Sequence, residues 1–509
     1  MTGPTILWPD GEVDDSPTAE PPFFRDLNLD QIVGSIIAGR AEYQLGPFFY
    51  RPLSSVAAIE YRQAAMRDVQ REETLATLRA FAAAAREVRD TLAQGAKLYY
   101  KYQKEAWLLD AARAYCEAVQ KLQAGLAAAT LCSEAFVAFS RYLSDYVRSE
   151  VFRRLLDDIA QVTAKLREIR YTLRIGSGWI TVAPYLDQSD YEEEIEEDFS
   201  RFKQDEVEKF IFKFSNFAQM NHIEAGIVDR LAKIFPDAFA ALDAFGQRHD
   251  GFADATIVRF DREAQFYIAY HEYVARITAN DLRFCCPSVV HDKTELRASG
   301  VFDLALANVL ASKAGAVVTN EFHLTGQERM FIVSGPNQGG KTTFARTFGQ
   351  LHYLASLGLP VPGESAKLFK FDQIFTHFET EEDLHNLRGK LHDDLYRLRQ
   401  TLTAATPDSI VILNEVFNST SLKDAIFLSS EILKALMNLD TFGVCVTFID
   451  ELASLSPKLV SMASIVQPDN PAERTFNIVR KPPDGLAYAL SVAEKHGLTY
   501  RQLHARLAS

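Results

Sequence analysis

The chain of 509 residues carries a formal net charge of −14, with 47% hydrophobic and 24% charged residues. Such a length gives roughly three domains with cores of ordinary size, and such a composition excludes collagen-like, low-complexity and membrane-embedded classes. The acidic balance also excludes a protein coated in nucleic acid, while a basic patch on one face remains compatible with it.

No uncharged apolar run reaches the roughly 20 residues of a membrane-spanning helix. The N-terminal MTGPTILWPDGEVDD is acidic where a signal peptide is basic, so a cytoplasmic protein is expected. Five cysteines (Cys116, Cys132, Cys285, Cys286 and Cys445) lack CxxC spacing and read as reduced packing residues.

Residues 1–22 are rich in Pro, Asp, Glu and Gly without periodicity, which predicts a disordered tail. Residues 23–282 are mainly helical in pattern, as in AFAAAAREVRDTLAQ and FRRLLDDIAQVTAKLREI, with Pro52 marking a boundary. Within them, YTLRIGSGWITVAPYLDQSD over 171–190 places two alternating runs around Gly176-Ser177-Gly178 and predicts a β-hairpin. The acidic run from Glu192 to Asp198 reads as a solvated helix face and completes a small insert over 171–200. Helical periodicity resumes near Phe199 and continues to Ala279.

Residues 283–509 alternate short apolar runs with helical patterns, the signature of an α/β sheet domain. The runs are AVVTNEFHL (316–324), MFIV (330–333), SIVILNE (409–415) and GVCVTF (443–448). The last three are continuous enough for strands buried on both faces.

MFIVSGPNQGGKTTF, from Met330 to Phe344, sets Gly335, Gly340, Lys341 and Thr342 in the pattern G-x-x-x-x-G-K-[ST]. An apolar strand before it and a helix after it separate this run from an ordinary glycine-rich turn. Small residues let backbone N–H groups close around phosphate oxygens at the positive end of a helix. Lys341 then reaches the β- and γ-phosphates, and the Thr342 hydroxyl binds Mg²⁺. Such a loop needs a metal-facing acid and a base for water at the end of a neighbouring strand. Ser409 to Leu413 leads into Asn414, in the place of that acid, and Glu415, a water-activating carboxylate or else a cap for the next segment.

In order and spacing, GPNQGGKTT, FTHFETEEDL, ILNEVFNSTSLKDA and TFIDEL resemble the ATPase domain of the MutS family of mismatch-repair proteins. The resemblance covers residues 283–509, including CCPSVV and the terminal AYALSVAEKHGLTYRQLHARL, and reaches FYRPLSSVAAIEYRQAAMRDV more weakly. It implies an α/β P-loop ATPase domain of ABC type, with ATP and Mg²⁺, preceded by a helical lever/core domain whose 171–200 insert stands at the position of a DNA clamp. It also implies a homodimer or heterodimer with two composite sites, a homodimer being expected, together with C-terminal dimerising helices, DNA binding and contacts with other repair proteins; without a mismatch-reading domain, the DNA is expected to be held through its backbone. By position, Gly335, Pro336, Asn337, Gln338, Gly339, Gly340, Lys341, Thr342 and Thr343 form the nucleotide loop. Lys341 and Glu415 are catalytic, Thr342 and Asn414 face the metal, and Thr420, Ser421 and Asp424 reach the partner's site. Asp383, Arg388 and Asp394 match the segment that communicates between sites.

Four positions depart from the family pattern. Asn414 replaces an Asp, Phe448 replaces the switch His, FNSTS replaces a GRGTS-type run, and Val317 lies where many members place a base-stacking aromatic. Slow turnover and weak coupling to Mg²⁺ follow as expectations. By the resemblance this chain is expected to begin at the lever, and Phe48-Phe49-Tyr50-Arg51 lacks the glutamate of a mismatch-reading motif, so those aromatics are expected in the core and mismatch reading is not expected of this chain alone. A second reading, a nucleotide-gated scaffold that binds protein and turns over little ATP, is favoured by the acidic charge and Asn414. A transport or chromosome-structure ATPase fits poorly, since neither a membrane-partner motif nor a long heptad run is present.

Overall fold

A computed structural model describes residues 3–9, 18–186, 220–279, 281–311, 313, 315–379, 389–467, 470–482 and 504. The acidic run 192–198, Asp383, Arg388 and the helices expected after Asp484 lie outside the described residues. The chain divides into two compact units: Met1–Pro4, Arg71–Leu131 and Val137–Asp261 make the first, and Thr5–Gln70, Cys132–Phe136 and Arg262–Ser509 the second. The helical stretch expected as one domain over 23–282 is therefore shared between the two.

The first unit is helical. Its long helices Glu72–Lys97 and Lys101–Ala128 pack on one another, and Pro236–Arg248 packs on the second of them. Ala, Leu, Glu and Arg dominate these helices and no proline interrupts the two long ones, so propensity and packing act together. Phe139 stacks on Phe260 at 3.6 Å, and Arg89 pairs with the buried Asp261. The predicted hairpin is present: β1 (Tyr171–Gly176) pairs antiparallel with β2 (Trp179–Pro184), with Gly178 at φ 84° in the turn. Ile175 and Trp179 lie exposed on it.

The second unit holds the sheets. Its strands are β3 (Phe284–Cys285), β4 (Ser288–Val290), β5 (Glu295–Val301), β6 (Asn320–Thr325), β7 (Met330–Ser334), β8 (Val361–Pro362), β9 (Ser365–Phe369), β10 (Ile374–His377), β11 (Ile410–Asn414), β12 (Phe442–Val446), β13 (Leu459–Gln467) and β14 (Asn470–Arg480). The main sheet has the order β10-β11-β12-β7-β13-β14, parallel except for the antiparallel edge strand β14. A second sheet has the order β4-β9-β5-β6, and β3 pairs with β8.

Every residue of β7, β11 and β12 is buried, as their continuous apolar runs predict for strands covered on both faces. On one face Phe331 packs with Phe322, Phe344 and Phe348, the last two from helix Lys341–Ser356. On the other, Met330, Ile332, Val411 and Leu413 meet Leu398, Leu433 and Leu436 from helices Lys390–Ala404 and Leu422–Leu439.

Helix Lys341–Ser356 is buried on nearly all sides because the N-terminal segments cover the flank turned away from the sheet. Phe24 packs edge-on against Tyr353, Gln350 donates to Leu27 O at 2.9 Å, and Arg346 donates to Asp26 O at 2.9 Å. Phe48 and Phe49 are buried beside Phe266, as expected of core aromatics. Among the cysteines Cys116 and Cys445 are buried, whereas Cys132 and Cys286 lie at the surface instead of packing.

Residues 5–7 correct the expectation of a disordered tail. Ile6 and Leu7 have no exposed surface. The Thr5 hydroxyl and the Ile6 N–H donate to the Glu263 carboxylate at 2.8 and 2.7 Å, Tyr61 donates to Thr5 O and Tyr267 to Ile6 O, both at 2.7 Å. Arg62, also buried, donates to Leu7 O at 2.8 Å, and burial pushes its guanidinium down to about 10. The segment TILW is too short to show periodicity, and its partners lie far along the chain.

Tyr267→Phe removes one donor from the buried Ile6 carbonyl and is expected to cost about 1–3 kcal/mol. Denaturant unfolding measures the loss, and limited proteolysis at residues 5–9 should become faster in the variant.

Candidate active site

The site is assembled where β7, β11 and β12 end together. β7 gives way at Ser334 to a loop whose backbone takes left-handed values at Gly335 (φ 123°), Gln338 (φ 59°) and Gly340 (φ 91°). Gly339 is required by space, because a Cβ there would lie 2.3 Å from Ser464 Oγ and 3.0 Å from Pro336 O. The Ser464 hydroxyl donates to Gly339 O at 2.7 Å, so β13 braces the loop from beneath. Gly340 is the N-cap of helix Lys341–Ser356 and supplies no side-chain cap. The N–H groups of Lys341, Thr342 and Thr343 have no carbonyl one turn back within the helix, and they face the loop as donors with the positive end of the helix dipole behind them.

Lys341 is 4% exposed and donates to Gly335 O and Pro336 O, both at 3.1 Å. Its Nζ lies 3.9 Å from Glu415 Oε1 and 4.5 Å from the centroid of the Phe448 ring. Burial lowers the affinity of the ammonium for its proton, Glu415 opposes that shift and Arg474 adds to it. The Thr342 hydroxyl donates to Asn414 Oδ1 at 2.9 Å. That bond spends the hydroxyl proton and leaves the oxygen lone pairs of Thr342 available to a cation.

Glu415 follows β11 in a left-handed conformation, φ 53°, and its N–H donates to Val446 O at 2.9 Å. The sharp turn swings its carboxylate out of the strand line toward Lys341. A non-glycine residue held in this region stores about 1–3 kcal/mol, which the bond to β12 and the surrounding packing sustain. Asn418 Nδ2 lies 3.4 Å from Glu415 Oε2.

The structure therefore brings Lys341, Thr342, Asn414 and Glu415 together around the loop of Gly335, Pro336, Asn337, Gln338, Gly339 and Gly340. Thr343 lies in the first helical turn, where its carbonyl accepts from Thr347 Oγ1 at 2.9 Å. Ser421 and Asp424 sit apart as a local cap: Ser421 Oγ donates to Asp424 Oδ2 at 2.7 Å and caps helix Leu422–Leu439. The Thr420 N–H donates to Phe417 O at 3.4 Å. Asp394 is buried and 2.9 Å from His377 Nε2 at the end of β10.

Four residues at or near the site escape the sequence reading. Arg474 donates to Asn337 O at 3.2 Å and brings a positive charge to the loop. Phe476, 48% exposed with φ 60°, lies against Gly340, and its carbonyl accepts from Asn320 Nδ2 at 3.2 Å. Ser464 braces the loop and His377 holds Asp394. The first three stand on β13 and β14, whose mixed sequence SMASIVQPDNPAERTFNIVR offers no continuous apolar run. Alternation around Phe476 and Ile478 is the one signal that could have found them.

Residues 331–503 match the family described as MutS domain V. A stretch of 192 residues, 36% of the chain, is 30% identical to the DNA mismatch repair protein MutS of Shouchella clausii (strain KSM-K16), and the match spans 22% of that relative's length. Both findings bear out the MutS-family resemblance carried by the four motifs, and residues 331–503 are similar to MutS domain V.

Gly339→Ala drives a methyl group into Ser464 and the Pro336 carbonyl, and overpacking of this kind costs about 1–3 kcal/mol. Denaturant unfolding is expected to show that loss, with part of it recovered when Ser464→Gly is added.

Proposed function

We propose that this chain is a MutS-like, ATP-dependent DNA-binding protein that hydrolyses ATP slowly and works as a dimer. The observation that carries the reading is the convergence of an uncapped helix N-terminus, the buried Lys341, the Thr342–Asn414 pair and Glu415 at one edge of a parallel sheet. Open α/β sheets bind ligands at this carboxyl edge.

The residues fit a nucleoside triphosphate and a divalent ion. Gly339 lies where any side chain would fill the loop, and the first-turn N–H groups match phosphate oxygens. Arg474 and Lys341 add positive charge beside the loop, where the backbone of Phe476 passes Gly340. Thr342 with Asn414 would hold Mg²⁺, which when bound neutralises charge on the β- and γ-oxygens. Glu415 then acts on the attacking water as base or orienter, its carboxylate held near the phosphate end of the site by its left-handed turn.

The dimer reading rests on the family and on exposed apolar residues beside Thr420, Ser421 and Asp424: Leu422 is 68% and Phe427 64% exposed. DNA binding rests on the relative's printed function and on the domain match. Among the described residues no helix is long and apolar enough to cross a membrane. The scaffold reading is favoured by Asn414 and by the net charge of −14. ATP turnover measured with and without duplex, branched and single-stranded DNA separates the two: stimulation supports the DNA-binding ATPase, and indifference to every DNA supports the scaffold.

Glu415→Gln keeps the size of the side chain and removes its charge. It is expected to bind ATP and turn it over roughly 10²–10⁴-fold more slowly, and parental turnover in this variant would place the base elsewhere. Asn414→Asp restores a full negative charge at nearly constant shape. It should lower the Mg²⁺ concentration for half-maximal turnover, and superimposable Mg²⁺ titrations of the two proteins would remove Asn414 from metal coupling.

A further inference from the structure

Phe448 departs from the family pattern, and in this fold it stands against a buried charge. The ammonium of Lys341 has protein partners on several sides: two loop carbonyls at 3.1 Å, Glu415 at 3.9 Å and the Phe448 ring centroid at 4.5 Å. The backbone on either side of Phe448 is tied down, because the Thr447 N–H donates to Val333 O at 3.1 Å and the Ile449 N–H donates to Thr447 Oγ1 at 3.0 Å. Phe448 therefore sits in a turn tied to β7, with about half of its surface open to solvent and Lys341 nearly shielded from it.

An aromatic face is electronegative and attracts a cation, more strongly when the cation has lost its water. The same face offers an anion neither charge nor a hydrogen bond. Phe448 thus favours the ammonium where it stands and gives nothing to a phosphate group that would draw it away. We infer that Phe448 lowers the affinity of this site for nucleoside triphosphates by holding Lys341 against its ring, so that binding of the terminal phosphates draws the ammonium off the ring. The inference rests on the nucleotide reading of the site and makes Phe448 a positioning residue that acts through Lys341.

Equilibrium binding of ATP with Mg²⁺ to the full chain tests it, with Phe448→Leu, Phe448→Tyr and Phe448→Trp beside the parent. Leucine keeps an apolar side chain without a π face, so its Kd should fall by about 2- to 30-fold, the range of one cation–π contact. Tyrosine retains the ring and should return the Kd to that of the parent, whereas tryptophan, the strongest cation binder of the three, should raise it. A damaged fold weakens binding, so tighter binding by the leucine variant has no such source. An unchanged or weaker affinity in Phe448→Leu overturns the inference alone, since the parent still binds. A parent that binds no ATP overturns the nucleotide reading, and this inference with it.

Discussion

The candidate site depends on the register of three parallel strands. Val333 of β7 lies opposite Val446 of β12, which in turn lies opposite Asn414 of β11, so the strands reach their carboxyl ends at one level. The loop after Ser334, Asn414-Glu415 and Thr447-Phe448 therefore leave the sheet side by side. Alternation of apolar and polar residues cannot set this register, because all three strands are apolar on both faces. Close packing sets it instead: at Gly443 of β12 a Cβ would lie 2.0 Å from Val411 O on one neighbour and 2.8 Å from the Met330 side chain on the other. Only that residue lets both strands approach at that point.

Within this frame the charges of the site are balanced by short-range contacts. A lysine 4% exposed would be costly if left alone, and its two loop carbonyls, Glu415 and the Phe448 ring share the compensation. Glu415 takes part only because its backbone occupies a left-handed conformation, one that the hydrogen bond to Val446 holds in place. Backbone strain and buried charge are thus concentrated in the same few residues, as is usual where a fold trades stability for chemistry. Thr342 and Asn414 complete the arrangement with a neutral hydrogen bond, so this side of the loop carries less negative charge than a carboxylate would give it.

Where local sequence and tertiary role agree, the chain was legible. The strand–loop–helix turn of residues 330–356, the three buried strands, the hairpin at Gly176-Ser177-Gly178 and the core position of Phe48 and Phe49 all follow from spacing and composition. What escaped depends on distance along the chain. Ser464 and Arg474 matter because β13 and β14 pass beneath and beside a loop more than a hundred residues earlier in the chain, and polar residues interrupt the pattern that would mark those strands. Residues 5–7 read as tail because the stretch around them is rich in Pro, Asp, Glu and Gly and TILW is too short to show periodicity. Their order comes from Glu263, Tyr61 and Tyr267, which no local window contains.

The long reach of the Thr5–Glu263 bond has a consequence for how the chain is made. The two residues are 258 positions apart, and translation proceeds at about 5–20 residues per second, so Thr5 emerges from the ribosome some 13–52 s before its partner does. Through that interval Ile6 and Leu7 are apolar and without their native cover, and helix Lys341–Ser356, which the following segments shield, has not yet been synthesised. The nascent amino-terminal arm is thus a natural client for chaperones that hold apolar segments during synthesis. Closure of the second unit is necessarily a late event, postponed until the sheet has been made.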